Sequence, residues 1–157
     1  MQQLGNIHQI KAIVIVVMIL GMNPTVNASK ALPLDKLQMP EGFTISIFAE
    51  VDNPRQLAID NAGVVYAGSR RGGKVHAIAD LDGDGIADVV KVVAKGLSMP
   101  SGIAIRDNQL YVAAVNSILR SEPLGDILKK TPTFTTIYQG FPKDRHHGWK
   151  FIDFGPD

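Results

Sequence analysis

From Phe43 onward the apolar residues fall in short runs, alternating with polar ones or in blocks of three to five, each run closed by Gly, Pro, Asn or Asp. Phe43-Thr44-Ile45-Ser46-Ile47-Phe48 is β-branched and aromatic, which suits a pleated, half-buried surface and predicts a strand. Leu57–Ile59 and Val64–Ala67 flank Asp60-Asn61-Ala62-Gly63 and read as a hairpin. Lys74–Ile78 then reads as the fourth, more exposed strand of that unit. Val89–Val93 is expected to open a second unit, continued by Ile103–Ile105, Leu110–Ala114 and Ser117–Arg120, and Phe134–Tyr138 to open a third. Nowhere after residue 28 do apolar positions recur at helical spacing, so the pattern predicts an all-β chain.

The pattern also repeats. Asn53-Pro54-Arg55-Gln56-Leu57-Ala58-Ile59 is matched by Met99-Pro100-Ser101-Gly102-Ile103-Ala104-Ile105, and Pro54 to Pro100 is 100 − 54 = 46 residues. Another step of 46 lands on His146, followed by His147-Gly148-Trp149-Lys150-Phe151. A period of that size built from short strands marks the blade of a β-propeller. The expected fold is a partial propeller of about two and a half four-stranded blades, spanning 43–157. The third copy stops at the turn Gly155-Pro156-Asp157, so the chain reads as the amino-terminal fragment of a longer, six-bladed propeller.

Ahead of the repeats stand two segments of different character. Lys11, the apolar run Ala12–Leu20 and the small residues of Val26-Asn27-Ala28 read as a signal peptide over 1–28, cleaved before Ser29. The run is shorter than a spanning helix needs, so export to the periplasm or medium is expected rather than a stable membrane span; the alternative is an uncleaved anchor. Residues 29–42 read as a linker, because Pro33 and Pro40 forbid regular helix. Removing residues 1–28 takes away Lys11 and leaves 157 − 28 = 129 residues with net charge +1 − 1 = 0. That balance argues against a nucleic-acid partner, which needs a basic excess on one face. With no cysteine, packing alone must hold the fold.

Two segments carry candidate chemistry. Asp80-Leu81-Asp82-Gly83-Asp84-Gly85-Ile86-Ala87-Asp88 places carboxylates at positions 1, 3, 5 and 9 of a loop with Gly at 6. Hard oxygen ligands at that spacing converge on calcium, and Asp80, Asp82, Asp84 and Asp88 are the candidate ligands, with the Ile86 carbonyl in support. Position 12, where a bidentate Glu belongs, is Lys91. The competing reading is a rigid turn between two blades, held by side-chain-to-backbone hydrogen bonds. His146 and His147 sit on the loop entering the third unit, near the propeller face where ligands collect. A neutral imidazole there suits a general base. Read as residues alone, the pair equally fits one strand-capping and one exposed histidine.

Residues 32–157 resemble the start of the glucose/sorbosone dehydrogenase family, six-bladed propellers that use pyrroloquinoline quinone, with the sorbosone-dehydrogenase-like branch the best match. Pro40-Glu41-Gly42-Phe43, Arg71-Gly72-Gly73-Lys74-Val75, Asp82-Gly83-Asp84-Gly85 and Gly96-Leu97-Ser98-Met99-Pro100-Ser101-Gly102 carry the resemblance. Gly140-Phe141-Pro142, His146–Phe151 and Phe154-Gly155-Pro156-Asp157 carry it most specifically. The resemblance implies a dehydrogenase that passes hydride from a sugar or related alcohol or aldehyde to the quinone, assisted by calcium, and then to an electron acceptor. Counted without gaps, the family's catalytic histidine falls on His147, as general base; His146 is the second candidate. The Arg and Lys residues that grip the quinone, and the ligands of its calcium, come from later blades in that family. Taken by itself the 157-residue chain is therefore expected to be inactive. Two other readings stand beside this one. A non-catalytic propeller module for protein or carbohydrate binding fits the neutral composition. A metal-dependent lactonase-type propeller would want acidic or amide ligands where Arg55 and Ser101 stand.

Overall fold

The structure, a computed structural model, describes residues 32–156. The leader read at 1–28, with its cleavage point before Ser29, lies outside them. The chain divides into two units, Met1–Leu37 and Gln38–Asp157. Within the described part of the first, Leu34–Lys36 forms one 3₁₀ turn after Pro33. Among the described residues no helix is long and apolar enough to cross a membrane.

The second unit holds eight strands. They are β1 (Pro54–Ile59), β2 (Val65–Ser69), β3 (Lys74–Ala79), β4 (Val89–Lys95), β5 (Gly102–Arg106), β6 (Gln109–Ala113), β7 (Ser117–Ser121) and β8 (Phe134–Gln139). They make two antiparallel sheets, β1-β2-β3-β4 and β5-β6-β7-β8, each running straight from one strand to its neighbour. Successive four-stranded meanders of this kind are propeller blades, and the all-β expectation holds. The hairpins follow local chemistry. Asp107 and Asn108 both take left-handed backbone (φ 51 and 56), the two-residue turn whose twist suits β5 and β6. Asp60 holds the first hairpin, its Oδ1 accepting the Ala62 and Val64 N–H groups and its Oδ2 the Tyr66 hydroxyl. Burial and that carboxylate push the Tyr66 phenol well above its ordinary pKa, so it stays a donor.

The repeat is phased one strand away from the sequence reading. Val89–Lys95 pairs with β3 and closes the first sheet, and Phe134–Gln139 pairs with β7 and closes the second, whereas each was expected to open the next unit. A period fixes the distance between like strands, but hydrogen-bond partners decide where one sheet ends. Phe43–Phe48 has no ladder among the described residues; the Phe48 carbonyl accepts the Ala87 N–H at 2.8 Å. The acidic loop, expected between blades, joins β3 to β4 within the first sheet.

The core lies between the sheets. Tyr66 and Ala77 from the first meet Ile103, Leu110 and Val112 from the second. Gly68 permits the approach, since a Cβ there would stand 2.6 Å from the Pro100 carbonyl and 2.7 Å from Ile103 Cγ1. The loop after β7 adds Leu124 and Ile127 to this core, and Lys91 ties it down by donating to the Ile127 and Leu128 carbonyls.

The opposite face of the first sheet carries the register partners Leu57, Ala67, His76 and Val92. His76 is buried there, and desolvation, helped by Lys74 and opposed by Asp52, lowers its pKa below 6.5. The unfolded chain therefore binds the proton more readily, and stability should fall as pH drops from about 6.5 toward the lowered native value. Urea melts at pH 5 and pH 7.5 test this: His76→Leu should flatten the difference, and an unchanged difference would contradict it.

Candidate functional site

Because the strands alternate in direction, the connections sort to two ends of the sheets. One end carries the start of β1, the β2–β3 turn, the start of β5 and the loop before the third inner segment. Hydrogen bonds knit it together: Ser69 N–H to Pro100 O (2.9 Å), Arg70 N–H to Asn53 O (3.2 Å) and Val115 N–H to Ser98 O (2.9 Å). His146 and His147 stand here. The acidic loop stands at the other end, lining a cleft with Asp60–Gly63 and the loop after β7.

At the histidine end the third inner segment docks on the first two. Ser101 Oγ accepts the Lys150 N–H (3.1 Å) and donates to the Lys150 carbonyl (2.9 Å). The Gln56 side chain reaches across all three units: Oε1 accepts the Ile103 and Ile152 N–H groups, and Nε2 donates to the Ile152 carbonyl at 2.7 Å. With its ends pinned, the segment presents Trp149 half-buried, the Arg70 guanidinium lying 4.0 Å from the indole centroid. The His147 ring lies 5.2 Å from the indole on a left-handed residue (φ 56), and the His146 ring packs edge-on against it at 4.3 Å. Gly148 is obligatory, because the Asp144 carbonyl fills the space a Cβ would need.

Beside Trp149 opens a cleft of about 340 Å³, lined by Arg55, Gln56, Ser101, Trp149, Lys150 and Phe151. Arg55, Ser101 and His147 occupy the same position of successive repeats, so the period itself brings them to this end. Arg55 is exposed and its guanidinium has no partner among the described residues. Lys150 Nζ donates to the Gly148 carbonyl and lies 5.2 Å from the Phe141 ring centroid. The cleft thus sets two cations beside the Trp149 and Phe151 rings, chemistry that can receive an anionic ligand. Sequence reading singled out His146 and His147 but gave no role to Arg70 or Gln56, whose partners are remote in sequence.

At the other end, Asp80, Asp82 and Asp88 can bring one carboxylate oxygen each within 4.8 Å of one another, while Asp84 stands outside that group. The loop satisfies these carboxylates from within. Asp80 accepts the Gly83 and Gly85 N–H groups, Asp82 that of Asp84, Asp84 that of Ile86, and Asp88 that of Leu81. The Gly85 and Gly83 bonds hold the Asp80 pKa below its ordinary value, so their support fades as pH falls through that lowered value. Lys91 points to the loop after β7 and supplies no ligand. Three of the four expected ligands therefore lie near one another, already bonded within the loop, at the end of the sheets away from the histidines.

Residues 29–157 match the family described as a domain of unknown function, DUF7133. The chain belongs to the DUF7133 family. No curated protein matches it. Among solved structures, this DUF7133 chain is similar to the holo form of the pyranose dehydrogenase PQQ domain from Coprinopsis cinerea. That likeness has 18% identity and a TM-score of 0.51, over 62% of this chain and 24% of that one. It is also similar to the iodide structure of the Trichoderma reesei carbohydrate-active enzyme of family AA12, at 17% identity and a TM-score of 0.46, over 59% and 25%. The first likeness extends the fold assignment: the DUF7133 sheets are blades of a partial β-propeller. The chain spans about a quarter of the length of these structures.

Proposed function

We propose that this DUF7133 segment works within a six-bladed quinoprotein dehydrogenase of the sorbosone-dehydrogenase-like kind, exported from the cytoplasm, that oxidises a sugar or related alcohol. The observation that carries the reading is a cleft lined by Arg55, Lys150 and Trp149, which suits a flat polyanion, with the His147 ring 5.2 Å from that indole. The fold shared with a PQQ domain supports it.

When bound, pyrroloquinoline quinone supplies the hydride acceptor. Arg55 and Lys150 would hold its carboxylates, with further cations from blades beyond these. His147 accepts the proton of the substrate hydroxyl at an imidazole nitrogen, and His146 supports its ring. Gln56 and Ser101, through their bonds to Ile152 and Lys150, keep the segment that leaves the loop in place. A calcium ion held by Asp80, Asp82 and Asp88 would be a structural ion, because that loop stands at the other end of the sheets.

Quinone titration of the intact propeller tests the cleft assignment. Arg55→Ala should weaken quinone binding roughly tenfold or more, the loss of one charge-assisted hydrogen bond. Unchanged affinity would move the quinone away from this cleft.

A further inference from the structure

Arg70 is the one described residue with a buried side-chain nitrogen, Nε, that lacks a hydrogen-bond partner. Leaving such a group unpaired costs stability, so its position calls for a compensating contact. That contact is the indole of Trp149, 4.0 Å from the guanidinium carbon. A planar guanidinium stacks on an indole face better than an ammonium does. The backbone on the Arg70 side is fixed. Arg70 N–H donates to the Asn53 carbonyl, and Arg71 N–H donates to Asn53 Oδ1, with Asn53 itself left-handed at φ 52.

Trp149 in turn is the nearest ring to His147 apart from His146, and His147 sits on strained left-handed backbone ahead of a glycine that cannot be replaced. The imidazole is exposed, so its own contacts do little to fix it. A base must be held within hydrogen-bond reach of the proton it takes. We propose that Arg70 is a positioning residue: carried by the rigid β2–β3 turn, it clamps Trp149, and Trp149 sets the orientation of the His147 imidazole. This rests on the reading of His147 as the base. The clamp couples two blades, so the first sheet would shape a site whose proton acceptor lies on the third inner segment.

Trp149 is the single tryptophan of the chain, which makes the coupling directly readable. The indole's fluorescence reports how far Arg70 covers it. Arg70→Ala in the full chain should open the indole to a soluble quencher, with far-ultraviolet circular dichroism confirming the sheets. Arg70→Lys, which keeps the charge without the planar stack, should restore only part of the protection, and His146→Ala, the control for the neighbouring ring, should leave it unchanged. Unchanged quencher access in both Arg70 variants would overturn the proposal. In the quinone-loaded propeller, kcat should fall in Arg70→Ala and recover in part in Arg70→Lys, and full turnover in Arg70→Ala would remove its hold on His147. If the Arg70 variants expose the indole while His147→Ala keeps full turnover, the clamp stands and the base assignment falls.

Discussion

Replacing His147 by alanine should lower turnover of the quinone-loaded propeller by roughly 10²–10⁴-fold, the contribution of a positioned general base. The side chain lies 5.2 Å from Trp149, which lines the cleft, in a loop whose backbone is fixed by Gly148 and by the bonds of Ser101 to Lys150. Its removal takes away the proton acceptor without disturbing the sheets, because His147 is exposed and contributes nothing to the core. The loss should therefore fall on kcat while the melting temperature stays near that of the parent. His146→Ala should cost far less, since its ring meets the indole only through His147. Steady-state kinetics of the two variants decide between them. A change below about twofold in His147→Ala would remove it from the reaction.

Ile103→Ala should cost about 2–5 kcal/mol of folding stability, the combined loss of buried area and the cavity left behind. Ile103 is 1% exposed and packs where the two sheets come closest, with its Cγ1 in the space that Gly68 leaves free. On one side it meets the Gly68 backbone, which has no side chain to move into the gap, so the upper part of that range is expected. Urea unfolding should show a lower midpoint at unchanged slope. A loss under about 1 kcal/mol would mean that the two sheets are not held together at this contact.

The strands were legible because their side chains alternate and their turns carry the residues those turns require. Asp107-Asn108 between Ile103–Ile105 and Leu110–Ala114 is the clearest case. The phase of the blades was not legible. Val89–Val93 reads as a strand whichever sheet it joins, and only its ladder to Lys74–Ala79 assigns it. Phe43–Phe48 has the composition of a strand but no ladder among the described residues. The contribution of Leu124 and Ile127 to the core was equally hidden, since they sit in an irregular loop without periodicity. At the histidine end, the repeat aligned Arg55, Ser101 and His147, but the stack of Arg70 on Trp149 joins residues far apart in sequence and leaves no local signal. Sequence left the acidic loop open between a calcium site and a rigid turn. The structure shows the turn's hydrogen bonds in place and three carboxylates near one another.

The most direct test of the dehydrogenase reading is sugar-dependent reduction of an artificial electron acceptor by the intact propeller, with and without pyrroloquinoline quinone. The account predicts reduction only when the quinone is present. Reduction that is independent of quinone, or none in a folded protein that binds it, would contradict it.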